Sequence, residues 1–200
     1  MNRVGLILLA AGNSSRMGRP KQLLPYRGRP LVCHAAATAV EAGCRPVIVV
    51  LGAGAEEIAP TLGEQSVEVV ENPLWEQGMG TSIQAGLAAL AGCDLDGAIL
   101  ALADQPLVTA AVLRGLVDAH RSSGRPIVAS QYAGTVGVPV FFHISYFPVL
   151  LALAPGQGCK GVIMSNREQS LLIDCLEAEV DVDTPEDYSR VANQHRSTSG

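Results

Sequence analysis

From Val4 to Ala10 the chain is almost unbroken apolar, and the run ends at Gly12. It lacks the alternation of a half-exposed strand and is short for a buried helix. It therefore predicts a strand covered on both faces, as in a parallel sheet. A Gly-rich polar stretch follows, then a helical pattern from about Pro30 to Ala42, closed by Gly43. Val47–Leu51 reads as a second buried strand, Ala55–Leu62 as a short helix and Val67–Val70 as a third strand. Gly80–Ala91 is helical, with Thr81 or Ser82 available as N-cap. Ala98–Leu102 is a fourth strand, and a helix runs from about Thr109 to His120.

Strands and helices that alternate so regularly predict an α/β fold, a single three-layer α/β/α domain on a mostly parallel sheet. Beyond Ile127–Ser130 the rhythm changes. Tyr132–Gly134 and Val138–Phe142 read as strands joined by a turn, Phe147–Leu153 as a helix, and Leu171–Ile173 as a strand. Thr184–Ala192 is a terminal helix. No internal repeat or long linker divides the chain, so residues 1–192 form one domain, and the polar stretch 193–200 is expected to be a disordered tail.

Composition narrows the class. Hydrophobic residues make up 48% of the 200 and charged residues 16%, enough apolar material for one sizeable core and too little charge for disorder. Net charge is −5, with no basic stripe, which argues against nucleic acid or an anionic membrane as partner. Cys33, Cys44, Cys93, Cys159 and Cys175 are odd in number, widely spaced and without a CxxC pair, as expected for reduced thiols in a cytoplasmic protein. A strand starts within a few residues of Met1, and no apolar run reaches the ~18 residues of a membrane span. His34, His120, His143 and His195 show no metal-ligand spacing.

The chemistry concentrates in residues 9–21, LAAGNSSRMGRPK, directly after the first strand. Open α/β sheets bind ligands beyond the carboxyl ends of their strands. Gly12 and Gly18 let backbone turn and approach a ligand. Successive N–H groups there can cradle an anion, Arg16 adds a planar fork and Lys21 a compact charge. Asn13, Ser14 and Ser15 add small polar groups. Neither GxxxxGK[ST] nor GxGxxG is present, so the usual mononucleotide and dinucleotide fingerprints do not apply. Two acidic segments join the loop as candidates: ADQPLV, which sets Asp104 at the end of the fourth strand, and DVDTPEDY, which leads into the last helix. Magnesium is commonly held by one or two carboxylates plus phosphate oxygens. In DVDTPEDY a helix start is an equally physical reading, with Asp183 or Thr184 as cap and Pro185 in the first turn.

The LAAGxSxRMGxxK pattern, followed by LLP, resembles the signature of nucleotidyltransferases of the molybdenum cofactor, and most of all the cytidylyltransferase family. The likeness extends to DVDTPEDY, nearly the whole chain. It implies a Rossmann-like nucleotidyltransferase fold. It implies that Leu9, Ala10, Ala11, Gly12 and Ser14 bind nucleotide, and that Arg16 and Lys21 neutralise the triphosphate. Asp104 and Asp183 would ligate Mg2+, making Arg16, Lys21 and Asp104 the catalytic set. Gly80, Thr81 and Ser82, in the GMxxS segment, would lie beside base and ribose. LAAG stands where related guanylyltransferases have LAGG, so Ala11 and the family association favour CTP.

The acceptor side is expected in the second half. GVPVFF resembles the family's GxPxxF strand and makes Pro139 a pocket-shaping residue; Lys160 in GQGCKG would meet a phosphate. Gln157 replaces the family's Asp in GDxGxK, and Cys159 replaces a Gly. Cys159 itself reads as a buried thiol. The implied substrates are CTP and molybdopterin, with a molybdenum hydroxylase or its chaperone as recipient. Other readings stay open: a guanylyltransferase, a transferase for a sugar or alcohol phosphate, or a non-catalytic carrier of the cofactor, which Gln157 favours.

Overall fold

The computed structural model describes residues 3–196. Its main sheet has seven strands in the order β5-β4-β1-β6-β8-β7-β9. These are β1 (Val4–Ala10), β4 (Val47–Leu51), β5 (Glu68–Glu71), β6 (Gly97–Leu102), β7 (Ile127–Tyr132), β8 (Thr135–His143) and β9 (Ser170–Asp174). β8 runs antiparallel to both neighbours, and every other pairing in the sheet is parallel. A two-stranded ribbon, β2 (Pro25–Tyr26) and β3 (Arg29–Pro30), forms separately.

The central strands alternate strictly between two cores. Leu6, Leu8, Val49 and Ile99 face a core closed by α1 (Leu31–Glu41), α2 (Ala55–Ile58) and α4 (Ala110–Ser123). Ile7, Leu9, Val50 and Leu100 face the other, closed by α3 (Met79–Ala89), α5 (Phe147–Leu151) and α6 (Lys160–Ser165). Continuous apolar strands are thus the sequence form of a sheet covered twice. This is the predicted three-layer α/β arrangement.

Several boundaries differ from the sequence reading. Ile127–Tyr132 is one strand, and the hairpin turns at Ala133 and Gly134, both with positive φ. The helix from Ala55 is α only to Ile58 and tightens into a 3-10 turn over Ala59–Leu62, where Pro60 lacks an amide donor. Neither Thr81 nor Ser82 caps α3; Gly78 precedes its first residue, Met79. α6 was not predicted. The last helix, α7 (Pro185–Arg196), passes Ala192, so 193–196 are helical where a disordered tail is expected; residues 197–200 lie outside the described residues.

The described cysteines are free, four buried and Cys93 exposed. Among the described residues no helix is long and apolar enough to cross a membrane.

Candidate active site

β1 delivers the chain to the carboxyl edge of the sheet, where the 11–21 loop is held by one buried side chain. Gln22 Nε2 donates to the carbonyls of Ala10 and Gly12, both at 2.8 Å. Its Oε1 accepts from the Ser14 hydroxyl at 3.1 Å, and Ser14 Oγ in turn accepts the Lys21 amide at 3.0 Å. Ser14 carries a positive φ of 53°, and its carbonyl accepts the Met17 amide at 2.8 Å, closing a turn. The loop is therefore shaped by its own hydrogen bonds. Gln22 is not among the residues singled out from sequence, where its one mark is its place directly after Lys21 in KQLLP.

Asp104 and Asp183 are brought together by backbone. The Val182 amide donates to the Asp104 carbonyl at 2.9 Å. Leu24, Tyr26, Leu31, Val182 and Val191 form a small core that fixes the C-terminal segment beside the loop. The cap of α7 is Thr184. Its amide donates to Asp187 Oδ2 at 2.9 Å, and the Asp187 amide returns a bond to Thr184 Oγ1 at 3.2 Å. This reciprocal box leaves the Asp183 carboxylate out of the cap.

Asp183 instead faces the loop's cations. Lys21 Nζ lies 2.5 Å from Asp104 Oδ2 and 2.6 Å from Asp183 Oδ1, and Arg16 reaches Asp183 Oδ2 at 3.2 Å. Burial alone would lower the Lys21 pKa, but Asp104 and Asp183 outweigh it and raise the ammonium above its ordinary value. Asp104 Oδ1 is buried and makes no hydrogen bond. Asp181, behind the pair, is pushed up to about 6 by burial first and then by the charge of Asp104.

Two cavities meet at Lys21. One, of ≈ 350 Å³, lies between the ends of β1 and β6 and the 75–82 segment. Leu9, Ala10, Ala11 and Gly12 form one wall, Trp75, Met79 and Ser82 the other, and Asp104 the mouth. The second, of ≈ 160 Å³, is polar and is lined by Gly12–Arg16, Lys21 and Asp183. Of the predicted base-side residues, Ser82 lines the first of these cavities. Gly80 donates its amide to Pro155 O at 2.8 Å, and carbonyls of 154–157 press on it. The Thr81 hydroxyl accepts from Asn72 Nδ2 at 2.9 Å and faces the carbonyls of Leu74 and Gly78. The Gly80 amide and the Thr81 hydroxyl are thus engaged in holding the segment. Asn72 also donates to Ser82 Oγ at 3.0 Å and organises this wall.

Trp75, absent from the predicted site, packs on Gly52: a Cβ there would sit 2.6 Å from Trp75 Cβ and Cγ. On the expected acceptor side, Pro139 is buried in β8, its carbonyl accepting Ser130 Oγ at 2.7 Å. Gln157 folds back to accept the Ala154 amide at 3.2 Å. Lys160 is exposed and lines a separate open cavity with Gln157 and Asn166, away from Asp104.

A mostly parallel sheet with a cation-bearing loop after its first strand and a carboxylate at the end of its central strand defines the protein as a nucleotidyltransferase. Within that class the chain belongs to the family of MobA-like NTP transferase domains, whose model matches residues 6–170. It is 33% identical to nicotine blue oxidoreductase of Paenarthrobacter nicotinovorans, over 95% of this chain and 94% of that one. It is 25% identical to molybdenum cofactor cytidylyltransferase of Escherichia coli K12, over 94% and 95%. Rv0371c from Mycobacterium tuberculosis superposes with a TM-score of 0.79 at 33% identity, covering 96% of this chain and 99% of that one. The same protein is known in complex with manganese, at a TM-score of 0.75, 32% identity and the same coverage.

Proposed function

We propose that the protein transfers the cytidylyl group of CTP to the terminal phosphate of molybdopterin. The observation that carries this is the placement of Lys21. It stands where a largely apolar chamber sized for a nucleoside meets a polar one beside Arg16, flanked by Asp104 and Asp183. A nucleotide lying across this seam sets its base against Ala11 and Trp75 and its β- and γ-phosphates against the 12–16 loop, Arg16 and Lys21.

An acceptor phosphate oxygen attacks the α-phosphorus. The bond from that phosphorus to the α,β-bridging oxygen breaks, and pyrophosphate leaves with the electron pair. A phosphate nucleophile is already anionic at neutral pH, so no general base is needed. Positioning and charge neutralisation carry the rate, with Arg16 and Lys21 drawing charge toward the leaving group. A divalent cation, Mg2+, fits the donor set. Asp104 offers a buried oxygen without a partner, Asp183 is free of capping duty, and hard carboxylate oxygens suit that ion. Bound there by Asp104 and Asp183, it would neutralise phosphate charge. The recipient of the product would be a molybdenum hydroxylase or its chaperone.

The base assignment rests on the LAAG form of the loop and on the Escherichia coli relative. Incubation of the protein with molybdopterin and each nucleoside triphosphate tests it, read by pyrophosphate release and product mass. CTP should give the cytosine dinucleotide. Equal or better turnover of GTP, or none with any triphosphate, would overturn it.

A further inference from the structure

Lys21 occupies the place where the two carboxylates converge. Its Nζ is 2.5 Å from Asp104 and 2.6 Å from Asp183, while a magnesium ion sits ~2.0–2.1 Å from its oxygens. The ammonium and a divalent ion cannot both lie between those oxygens. Of the four carboxylate oxygens, Lys21 takes two and Arg16 takes Asp183 Oδ2. Only Asp104 Oδ1 is left without a partner. Among the described residues no group of three His, Cys, Asp or Glu is gathered to hold a metal. The protein alone thus offers a divalent ion one free oxygen and a partly buried like charge beside it.

We infer that Lys21 is an internal cation that keeps divalent metal out of the free protein, and that the nucleotide's triphosphate releases the site by drawing Lys21 onto its own oxygens. The inference rests on the reading of Asp104 and Asp183 as metal ligands and adds an order to it. The withdrawn ammonium no longer holds Asp104 Oδ2 and Asp183 Oδ1, and the triphosphate brings the remaining hard oxygens. Coupling is reciprocal, so metal in turn tightens nucleotide binding. A mononucleotide lacking the β- and γ-phosphates would leave Lys21 in place.

Binding of Mn2+ itself, followed by electron paramagnetic resonance of the free ion, tests this without any turnover. Lys21→Met keeps the apolar stem and removes the charge. It should bind Mn2+ at least about tenfold more tightly than the native protein in the absence of nucleotide, the effect expected of a partly buried like charge at contact distance. In the native protein, added CTP should tighten Mn2+ binding by more than its binding to free CTP explains, and CMP should not. Circular dichroism and a melting curve establish that Lys21→Met is folded; Lys21→Gln gives the same comparison with a polar stem. If neither variant binds Mn2+ more tightly than the native protein, the inference fails while the metal reading stands wherever binding is lost in Asp104→Asn. If the gain persists when Asp104→Asn is added to Lys21→Met, the pair is not the metal site, and the underlying reading falls with the inference.

Discussion

The backbone amide of Val182 donates to the carbonyl of Asp104 across a separation of 78 residues in the chain, at 2.9 Å. That one bond sets the carboxylates on either side of it, Asp104 and Asp183, against the same ammonium. The rest of the arrangement follows from it: Lys21 is held from two sides, and its own backbone is fixed through Ser14 to Gln22.

Asp104→Asn should separate chemistry from folding. The amide retains a hydrogen-bond acceptor for Lys21, and Asp183 still neutralises it, so the fold should survive with a melting temperature within a few degrees of native. The charge that faces the phosphates is lost, and kcat should fall by roughly 10²-fold or more. Pyrophosphate release at saturating CTP, measured beside a thermal melt, checks both. A variant with near-native kcat would remove Asp104 from the reaction.

Gln22 is a positioning residue for the loop. Gln22→Leu leaves the buried Ala10 carbonyl, and the part-buried Gly12 carbonyl and Ser14 hydroxyl, without this partner. Unmade buried hydrogen bonds cost ~1–3 kcal/mol each, partly offset if the loop loosens and admits water. The expected result is a lower urea midpoint together with a KM for CTP raised several-fold and a smaller change in kcat. Equal loss of kcat and no change in KM would place Gln22 elsewhere in the mechanism.

Asp181 makes the pH dependence of stability specific. Its carboxyl is raised from 3.8 to about 6, by burial and then by Asp104. Between those pH values the unfolded chain releases a proton that the native protein keeps. Stability from this group therefore falls as pH rises through the window and is flat above it. With solvent screening allowed for, ionised Asp181 costs the native state roughly 1–2 kcal/mol at neutral pH. Asp181→Asn should raise the melting temperature by roughly 2–6 °C at pH 7.5 and leave it unchanged at pH 4. A uniform gain at both values would show that ionisation is not the cause.

The sheet was legible wherever strands are covered on both faces. Val4–Ala10 and Val47–Leu51 are apolar throughout because both cores need them. β7 is longer than its apolar run because polar Gln131 interrupts that run, and Tyr132, which packs against the core, reads from sequence as the start of the next strand. The turn at Ala133 was hidden because alanine does not advertise a positive φ. In the site, Arg16, Lys21, Asp104 and Asp183 stood out by residue type and motif, and the structure gathers all four. What sequence could not show is which polar groups are spent internally. Thr81 and Gly80 look available until the 154–157 loop and Asn72 claim them. Gln22 and Asn72 act only once the irregular loops beside them close back on these side chains, and Trp75 only once it meets Gly52.

Trp75 offers a direct view of the chamber, because it is the one tryptophan in the chain. It lines the chamber beside Ala11 and rests on Gly52, where an added Cβ would lie 2.6 Å from its Cβ and Cγ and 2.8 Å from the Ala11 carbonyl. Neither neighbour yields easily, since one is the root of a side chain and the other is backbone of the nucleotide loop. Gly52→Ala should therefore push the indole wall and the LAAG segment apart, at a cost of ~1–3 kcal/mol from overpacking. In the native protein, CTP should change the tryptophan emission on binding, because base and indole share the chamber. In Gly52→Ala the emission of the free protein should already differ, and the CTP concentration that gives half the change should rise several-fold. Native emission that does not respond to CTP at saturating concentration would place the base outside this chamber.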